Sequence, residues 1–429
     1  MRKIKILFSA ALVLAVSVLY AQPYADMLSG GPGPEELFFS DTMNVYTIYR
    51  TYPVPETALT PAPKGYEPVY ISMYARHGSR KLHRKDYSSI PRSILSAAGS
   101  AGLLTPFGQT VLEKVAAIDD DLGKSVGDLT HVGEGQHKGI AGRMYRNYKS
   151  VFSSRGAVIR CYSTAVQRTM MSMFANNTGL LELDSGLKIE RQASGALWYL
   201  NNGYCDPCKD DPHRPYDEFL DSHLDYSPIL SRLFSGELPH IPDMADFIRS
   251  LYLTGAIVPC LDIEGCGFVR ELFSPEELYV LDQGMNFMMY MRCANSVLNG
   301  DNALPSQIPL VQDIVGKADA ALASSCPGAD LRFGHDSYLL PLLALLDVNG
   351  AGARLSAPEQ VESSFQAYML VPMAGNLQFI FYRNKKGNVL VKILLNEVES
   401  AIPVKTDIFP YYDWEDMKAY FRRRMSNFQ

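Results

Sequence analysis

The sequence lacks an excess of positive charge. Among its 429 residues, 40 Lys and Arg stand against 46 Asp and Glu, which gives a formal net charge of −6. General nucleic-acid binders usually carry a basic surplus, so this balance argues against a nucleic-acid partner. An acidic chain can still bind an anionic small molecule if its positive charges are gathered at one place. The distribution of the basic residues is therefore the first thing to establish.

The chain also lacks the marks of several special classes. It contains no internal repeat and no low-complexity tract, and after residue 21 no run of about 18 uncharged apolar residues predicts a membrane span. Its Cys and His residues form no second CxxC and no HxxxH pattern that would complete a zinc site. Hydrophobic residues make up 47% and charged residues 20% of the chain, as in ordinary globular proteins. The length predicts two to three domains, or one large domain with an insertion.

The N-terminal segment 1–21 has the pattern of a secretory signal peptide. Arg2, Lys3 and Lys5 precede an uncharged apolar stretch, and Ala21 supplies a small residue at the predicted cleavage point. An uncleaved anchor is the alternative, although about 15 apolar residues are short for a membrane span. Loss of the three basic residues would lower the formal net charge from −6 to −9. We expect an exported protein, periplasmic or secreted, with no membrane attachment after cleavage.

All cysteines follow the predicted signal peptide, where an exported chain can form disulfides. Their number is odd, so at least one thiol stays free or pairs between chains. Cys205 and Cys208 lie in a polar loop and not at a strand-to-helix turn, which favours a local disulfide or plain loop cysteines over a redox motif. The seven are Cys161, Cys205, Cys208, Cys260, Cys266, Cys293 and Cys326.

Strand patterns are concentrated at the two ends of the chain, and the middle is dominated by loops and helices. One helix opens with a capping box formed by Ser274 and Glu277. The predicted strands are 67–74, 157–162, 330–334 and stretches within 364–400, and the predicted helices are 108–123, 133–150, 165–176 and 274–298.

This distribution predicts an α/β core domain, with a central, mostly parallel sheet flanked by helices, that is interrupted by a mostly α-helical insertion. The predicted divisions are the signal peptide at 1–21, the first part of the core at 22–180, the insertion or cap domain at 181–325, and the second part of the core at 326–429.

A basic segment follows the first predicted strand directly. It reads Arg-His-Gly-Ser-Arg at 76–80, and 76–85 holds five Arg or Lys and two His without an acid. Ligands in open α/β sheets bind at the carboxyl ends of strands, and guanidinium groups match phosphate oxygens. His77 is therefore interpreted as a phosphate ligand, a general base or a nucleophile, and an exposed basic turn is the alternative. Lys81 and Arg84 extend the cluster, which favours a route of entry for anions.

Two later segments carry further candidate residues. Arg168 lies in the first turn of a predicted helix, where a cation opposes the helix dipole and a bound anion would compensate for it. His335 and Asp336 follow the predicted strand 330–334. Asp336 or Ser337 caps the next helix in one interpretation, and in the other Asp336 supplies a carboxylic acid to the first site. Metal binding by the His-Asp pair is disfavoured, because no other ligand cluster is visible.

Together these segments resemble the histidine acid phosphatase family, the phytase-like branch of the histidine phosphatases. The family motif R-H-G-x-R-x-P matches 76–82, with Leu82 in place of the final Pro, and the H-D motif matches His335-Asp336. The family arginine followed by Thr and a later Ser matches 168–172, and L-T-x-x-G-x-x-Q matches 129–136.

Within the family, the segment 76–80 and the tract 309–322 are similar to multiple inositol polyphosphate phosphatases. That subgroup usually has His-Ala-Glu at the proton-donor position, whereas this chain has His335-Asp336, the pattern of other phytases and acid phosphatases. The resemblance therefore implies inositol polyphosphates as substrates, with a broad acid phosphatase acting on simple or sugar phosphates as the alternative. A mutase and a catalytically inactive anion-binding protein are further alternatives.

The resemblance implies a phosphoglycerate mutase-like fold and an enzyme that hydrolyses phosphomonoesters through a phosphohistidine, with no metal or other cofactor. His77 would be the nucleophile and Asp336 the proton donor. The residues implied to bind the substrate are Arg76, Arg80, Arg168 and His335, and the basic cluster adds Lys81 and Arg84.

Overall fold

A computed structural model describes residues 32–201, 211–297, 303–324 and 328–428 of the protein. The predicted signal peptide and the cysteines at 205, 208 and 326 lie outside these residues. Within the described part, Cys161, Cys260 and Cys266 are buried thiols that form no disulfide. None of the helices in the described ranges has both the length and the apolar character that a membrane crossing requires.

An eight-stranded sheet forms the centre of the fold, with the strand order β3-β2-β4-β1-β5-β6-β7 and with β8 paired to β6. The first four strands in this order pair in parallel, and the strands beyond β1 pair antiparallel. The strands are β1 Tyr66–Arg76, β2 Val158–Ser163, β3 Lys188–Ala193, β4 Gly328–Gly334, β5 Asn376–Asn384, β6 Val389–Leu395, β7 Val398–Glu399 and β8 Tyr411–Asp413.

Sixteen helices are present in the described residues, together with short 3₁₀ turns at 44–49, 195–200, 258–260, 305–307 and 348–350. The helices are α1 Pro34–Phe39, α2 Asp86–Ser100, α3 Pro106–Leu122, α4 His131–Asn147, α5 Lys149–Ser153, α6 Gln167–Leu183, α7 Arg214–His223, α8 Ser227–Leu233, α9 Met244–Ala256, α10 Val269–Leu272, α11 Pro275–Cys293, α12 Ile308–Ala323, α13 Asp336–Leu346, α14 Pro358–Ser364, α15 Ala367–Leu370 and α16 Trp414–Ser426.

Strand β1 lies in the interior of the sheet and is buried on both faces. Successive side chains of a strand point to opposite faces. Tyr70 and Tyr74 accordingly join one apolar cluster, and Ile71 and Met73 join the other. Helices α4 and α6 pack against each other on the Ile71 face, and α2, α9 and α11 belong to the helical layer on the opposite side. The sheet therefore holds the end of β1 between two helical layers.

The expected α/β core with a helix-flanked sheet is confirmed, and its parallel pairing is confined to four strands. The sequence places the end of the first core part at residue 180. Strand β3 lies beyond this residue, so the core sheet includes residues that the sequence assigns to the insertion. Between β3 and β4 the described residues form helices and 3₁₀ turns without a strand. The prediction of strand at the beginning of 364–400 is wrong, because residues 367–370 form α15. The predicted domain boundaries themselves stay predictions.

Candidate active site

The ends of two parallel strands bring the two predicted histidines together. Arg76 at the end of β1 is in register with Gly334 at the end of β4, so the next residue of each chain segment emerges at the same edge. The backbone N–H of His77 donates to the Gly334 carbonyl at 2.9 Å, and the ring centroids of His77 and His335 lie 5.7 Å apart. The site lies at the carboxyl edge of the sheet, as in other open α/β folds.

Helices α4 and α6 hold the loop that follows β1. Its Gly78 N–H donates to the Ser172 hydroxyl at 3.0 Å, and the Ser79 N–H donates to the Gln136 side-chain oxygen at 2.8 Å. A Cβ at Gly78 would lie 2.5 Å from the Gly133 carbonyl oxygen. Only glycines allow this approach of two backbones, and the contacts fix the loop that carries His77.

His77 presents a neutral imidazole to the site. Its Nδ1 lies 2.9 Å from the Gly78 carbonyl oxygen, and a carbonyl can only accept, so Nδ1 carries the proton. The Nε2 lone pair is therefore available for attack. Burial, followed by the charges of Arg76 and Arg168, lowers the pKa of His77 well below its usual value. The ring consequently stays unprotonated in mildly acidic solution.

Arg76 is fully buried, and the protein holds one edge of its guanidinium. Nη1 donates to the Ile48 carbonyl at 2.7 Å and to the Val371 carbonyl at 2.5 Å, and Nη2 forms an ion pair with Asp336 at 2.7 Å. Its Nε has no hydrogen-bond partner within the described residues.

Arg80 and Arg168 complete a cluster of three cations. Arg80 lies 5.4 Å from the ring centre of Tyr49, and the Nε atoms of Arg80 and Arg168 are, like that of Arg76, buried without a partner among the described residues. Burial and the charge of Arg80 lower the pKa of Arg168 to about 10. Unpaired buried cations are unfavourable, so this arrangement is suited to a bound anion.

His335 and Asp336 stand at the junction of β4 and α13. Asp336 occupies the first position of the helix, where its Oδ1 accepts from the Ser337 N–H at 2.8 Å and its Oδ2 pairs with Arg76. The carboxylate therefore contacts both the helix end and the first site, so the two interpretations do not exclude each other. Burial works to raise the pKa of Asp336, but Arg76 and Arg80 outweigh it and hold the value at about 2. Burial and the charge of Arg168 lower the pKa of His335 to about 4.

Lys81 and Arg84, the two remaining predicted substrate-binding residues, are engaged by carboxylates. The Nζ of Lys81 pairs with Asp121 at 3.0 Å, and the exposed Arg84 pairs with Asp86 at 2.9 Å. The structure does not bring these two side chains into the cluster around His77, and their role in binding stays a prediction.

Several residues of the site carry no signal in the sequence. The carbonyls of Ile48 and Val371 hold Arg76 through main-chain atoms, which are the same in every residue type. Thr164 lies 3.3 Å from the Nε2 of His335, and Tyr49 packs beside Arg80. By contrast, Gln136 and Ser172 lie within motifs that the sequence already indicated. No group of three or more His, Cys, Asp or Glu suited to a metal occurs in the described ranges.

The geometry defines an α/β protein in which three arginines lie around a neutral histidine at the carboxyl edge of the sheet. A family profile described as histidine phosphatase superfamily (branch 2) matches residues 71–223. This match covers the loop after β1 and the helices that support it. Among curated proteins, human multiple inositol polyphosphate phosphatase 1 is 30% identical over 131 residues. The aligned part covers 27% of this chain and only 26% of the human protein.

Solved structures with the same fold include multiple inositol polyphosphate phosphatase from Bifidobacterium longum. Its complex with inositol hexasulfate matches with a TM-score of 0.72 at 18% identity, over 88% of this chain and 97% of that one. The phytase from D. castellii matches with a TM-score of 0.66 at 13% identity, over 89% of this chain and 85% of that one. The match of residues 71–223 to the profile of branch 2 of the histidine phosphatase superfamily confirms the predicted resemblance.

Proposed function

We propose that the protein is an exported histidine acid phosphatase that hydrolyses the phosphomonoesters of inositol polyphosphates through a phosphohistidine. One observation carries the proposal: three guanidinium groups, each with a buried and unpartnered Nε, lie around a neutral imidazole. A phosphate group would supply the missing acceptors and the missing negative charge. The catalytic work is then positioning and electrostatic stabilisation, which dominate phosphoryl transfer.

In the first step, the Nε2 lone pair of His77 attacks phosphorus in line with the ester oxygen. The N–P bond forms as the P–O bond breaks, and the electron pair remains on the departing alcohol oxygen. Asp336 gives that oxygen its proton. Arg76, Arg80 and Arg168 stabilise the charge on the equatorial oxygens of the phosphoryl group.

In the second step, a water molecule attacks the phosphohistidine. Its proton passes to the Asp336 carboxylate, the N–P bond breaks, and the electron pair returns to Nε2 of His77. Free phosphate leaves and Asp336 is again protonated for the next turnover. The step uses one carboxyl group first as acid and then as base.

The electrostatics of Asp336 favour an acidic pH optimum. In the free site Arg76 and Arg80 hold its pKa at about 2, and a bound phosphate would neutralise these cations and raise it. Since only the protonated carboxyl can donate, we expect the rate to fall above neutral pH. A rate that climbs steadily from about pH 4 to about pH 9 would contradict this assignment of roles.

The names of the relatives support inositol polyphosphates as the substrate class. The curated relative is a multiple inositol polyphosphate phosphatase, and a solved structure of this fold was obtained with inositol hexasulfate. A broad acid phosphatase is the second candidate. The pairing of Lys81 and Arg84 with carboxylates favours this second candidate. Fewer free cations then remain to bind a second phosphate group of the same substrate.

A phosphate-release screen tests the proposal. Wild type, His77→Ala and the control His131→Ala, which removes an exposed histidine of α4, are compared on inositol hexakisphosphate, a sugar phosphate and an aryl phosphate at acidic pH. We expect only His77→Ala to abolish phosphate release and the labelled phosphoenzyme. Equal activity of His77→Ala and wild type would reject the mechanism, and preference for the sugar phosphate would select the second candidate.

Substitution of the proton donor gives an independent check. Asp336→Asn should slow alkyl esters much more than aryl esters, because an aryl oxide leaves without a proton. Equal losses on both classes would argue against Asp336 as the acid.

Export is the remaining part of the proposal, supported by the basic, apolar and small-residue pattern of 1–21. N-terminal sequencing of protein recovered from the periplasm or medium should begin at Gln22. Recovery of the intact N-terminus in the cytoplasmic fraction would reject export.

A further inference from the structure

His83 lies three residues beyond Arg80 and contacts it directly. The Nη2 of Arg80 and the Nδ1 of His83 are 3.2 Å apart with hydrogen-bond geometry. We propose that His83 is a positioning residue that fixes the guanidinium of Arg80 in the phosphate site. The inference rests on the proposed function, because it assigns Arg80 to the binding of the reacting phosphate.

The chemistry of the pair determines which group donates. A guanidinium has five N–H donors and no acceptor, so Nδ1 of His83 must accept. The imidazole is then neutral with its proton on Nε2. The side chain of His83 is exposed, so its neutral form follows from the donor chemistry of Arg80 and not from burial.

Arg80 needs such a partner because its neighbours repel it. Burial, followed by the charge of Arg80, lowers the pKa of Arg168 and that of Arg76, as expected where like charges lie close together. Its Nη1 donates to the Lys81 carbonyl at 2.9 Å, and Nη2 donates to His83. These bonds hold both terminal nitrogens and leave the buried Nε for the anion. Without the second bond, like-charge repulsion would turn the guanidinium away before phosphate arrives.

His83 is itself held by the α2 side of the site. Its ring packs edge to face on Tyr87 at a centroid distance of 5.4 Å, and Tyr87 is buried. The Tyr87 hydroxyl lies 3.0 Å from Nε2 of His213. The backbone is fixed as well, because the Gly127 N–H donates to the Leu82 carbonyl at 2.8 Å. The acceptor therefore has a defined place relative to the helical layer.

Two substitutions separate positioning from packing. His83→Phe keeps a ring against Tyr87 and removes the acceptor, whereas His83→Asn places its side-chain oxygen close to the position of Nδ1. We expect His83→Phe to lower kcat/KM by roughly tenfold and to weaken inhibition by inorganic phosphate by a similar factor, the loss of about one charged hydrogen bond. His83→Asn should retain both within about threefold.

A double-mutant cycle with Arg80→Ala gives the decisive measurement. If His83 acts through Arg80, His83→Phe has little further effect on kcat/KM or on phosphate affinity once Arg80 is absent. Multiplicative losses in the double variant would overturn the inference. Equal losses in His83→Phe and His83→Asn would also overturn it. The inference would also be overturned if His83→Phe lowered activity only on inositol polyphosphates and left phosphate affinity unchanged. His83 would then contact the substrate directly.

The outcome is distinguishable from failure of the proposed function. If the wild type releases phosphate from no ester, the phosphatase proposal fails, and calorimetric titration of the same variants with inorganic phosphate still tests the contact. Under that condition, weaker binding by His83→Phe but not by His83→Asn supports the positioning role. Unchanged binding by both variants rejects it.

Discussion

Arg168 occupies a position where the folded protein gives its charge little compensation. It is the second residue of α6, where the helix dipole disfavours a cation, and its buried Nε has no partner in the described part of the chain. Burial and the charge of Arg80 lower its pKa to about 10. We therefore expect this residue to weaken the ligand-free fold and to become favourable only when an anion is bound, which is a form of the stability–activity trade-off.

Arg168→Met tests this trade-off. We expect the free energy of unfolding in urea to rise by about 1–3 kcal/mol, because a partly desolvated charge is removed. We also expect kcat/KM for phosphate release to fall by about 10²–10³, as for loss of one transition-state donor. The control is Arg160→Met, which removes a partly exposed arginine 3.7 Å from Glu190 and should change stability by no more than about 0.5 kcal/mol. Lower stability with unchanged activity would contradict the assignment.

At the scale of elements, the packing of α4 against the loop after β1 decides where His77 lies. Gly133 of α4 faces the Ser79 backbone, and a Cβ at this position would overlap the Ser79 carbonyl oxygen and lie 2.7 Å from the Ser79 nitrogen. Gln136, one turn later, holds both the N–H and the hydroxyl of Ser79. The helix therefore acts as a fixed support for the loop that carries His77.

Gly133→Ala should disrupt this support. The added methyl must push α4 away from the loop, and we expect a loss of about 1–3 kcal/mol in the free energy of unfolding together with a large drop in kcat. Gly135→Ala is the matched control, because Gly135 lies on the same helix with open space around its Cβ position. This control should gain about 0.5–1 kcal/mol from helix propensity and keep its activity. Comparable losses in both variants would show that α4 itself, and not the contact, is sensitive.

The type and position of a helix or strand follow from the sequence where its local pattern is strong. The strand predicted at 67–74 is β1 Tyr66–Arg76, and the helix predicted from a capping box is α11, where the Ser274 hydroxyl accepts from the Glu277 N–H. The apolar run at 367–370 was predicted as strand and forms α15. Short apolar runs have no periodicity that distinguishes a strand from a buried helix, so tertiary packing decides them.

At the scale of the whole molecule, a buried carboxyl makes the stability of the fold depend on pH. Asp282 of α11 is 1% exposed and lies in the helical layer, and burial raises its pKa from the usual 3.8 to about 8. The folded protein thus keeps a proton on Asp282 that the unfolded chain releases above about pH 4. The contribution of Asp282 to the free energy of unfolding is largest below the pKa that this residue has in the unfolded chain. It falls as the pH rises towards 8, because the folded state binds more protons than the unfolded chain over that range.

Asp282→Asn should remove this dependence. We expect the free energy of unfolding of the variant, relative to wild type, to increase between pH 4 and pH 8 by on the order of 2–5 kcal/mol. Urea denaturation at the two pH values measures the difference. Asp407→Asn changes an exposed aspartate and should show no such trend. A constant difference between variant and wild type at both pH values would mean that Asp282 is already ionised in the folded protein.

The sequence by itself determined the candidate residues of the site and their order along the chain. Arg76, His77, Arg80 and the His335-Asp336 pair stand directly after strand patterns, and strand ends are readable from neighbouring residues alone. Charge counting excluded a general polyanion binder, and the local surplus at 76–85 indicated an anion site.

Only the tertiary structure decided how these residues are used. The pairing of β1 with β4 joins His77 to His335 across more than half of the chain, and the carbonyl of Ile48 that holds Arg76 has no signature in residue type. The same packing pairs Lys81 with Asp121 and leaves the Nε of Arg168 without a partner among the described residues. Periodicity and capping are set by near neighbours, whereas these contacts depend on backbone atoms and on residues far apart in sequence, which meet only when the whole chain has folded.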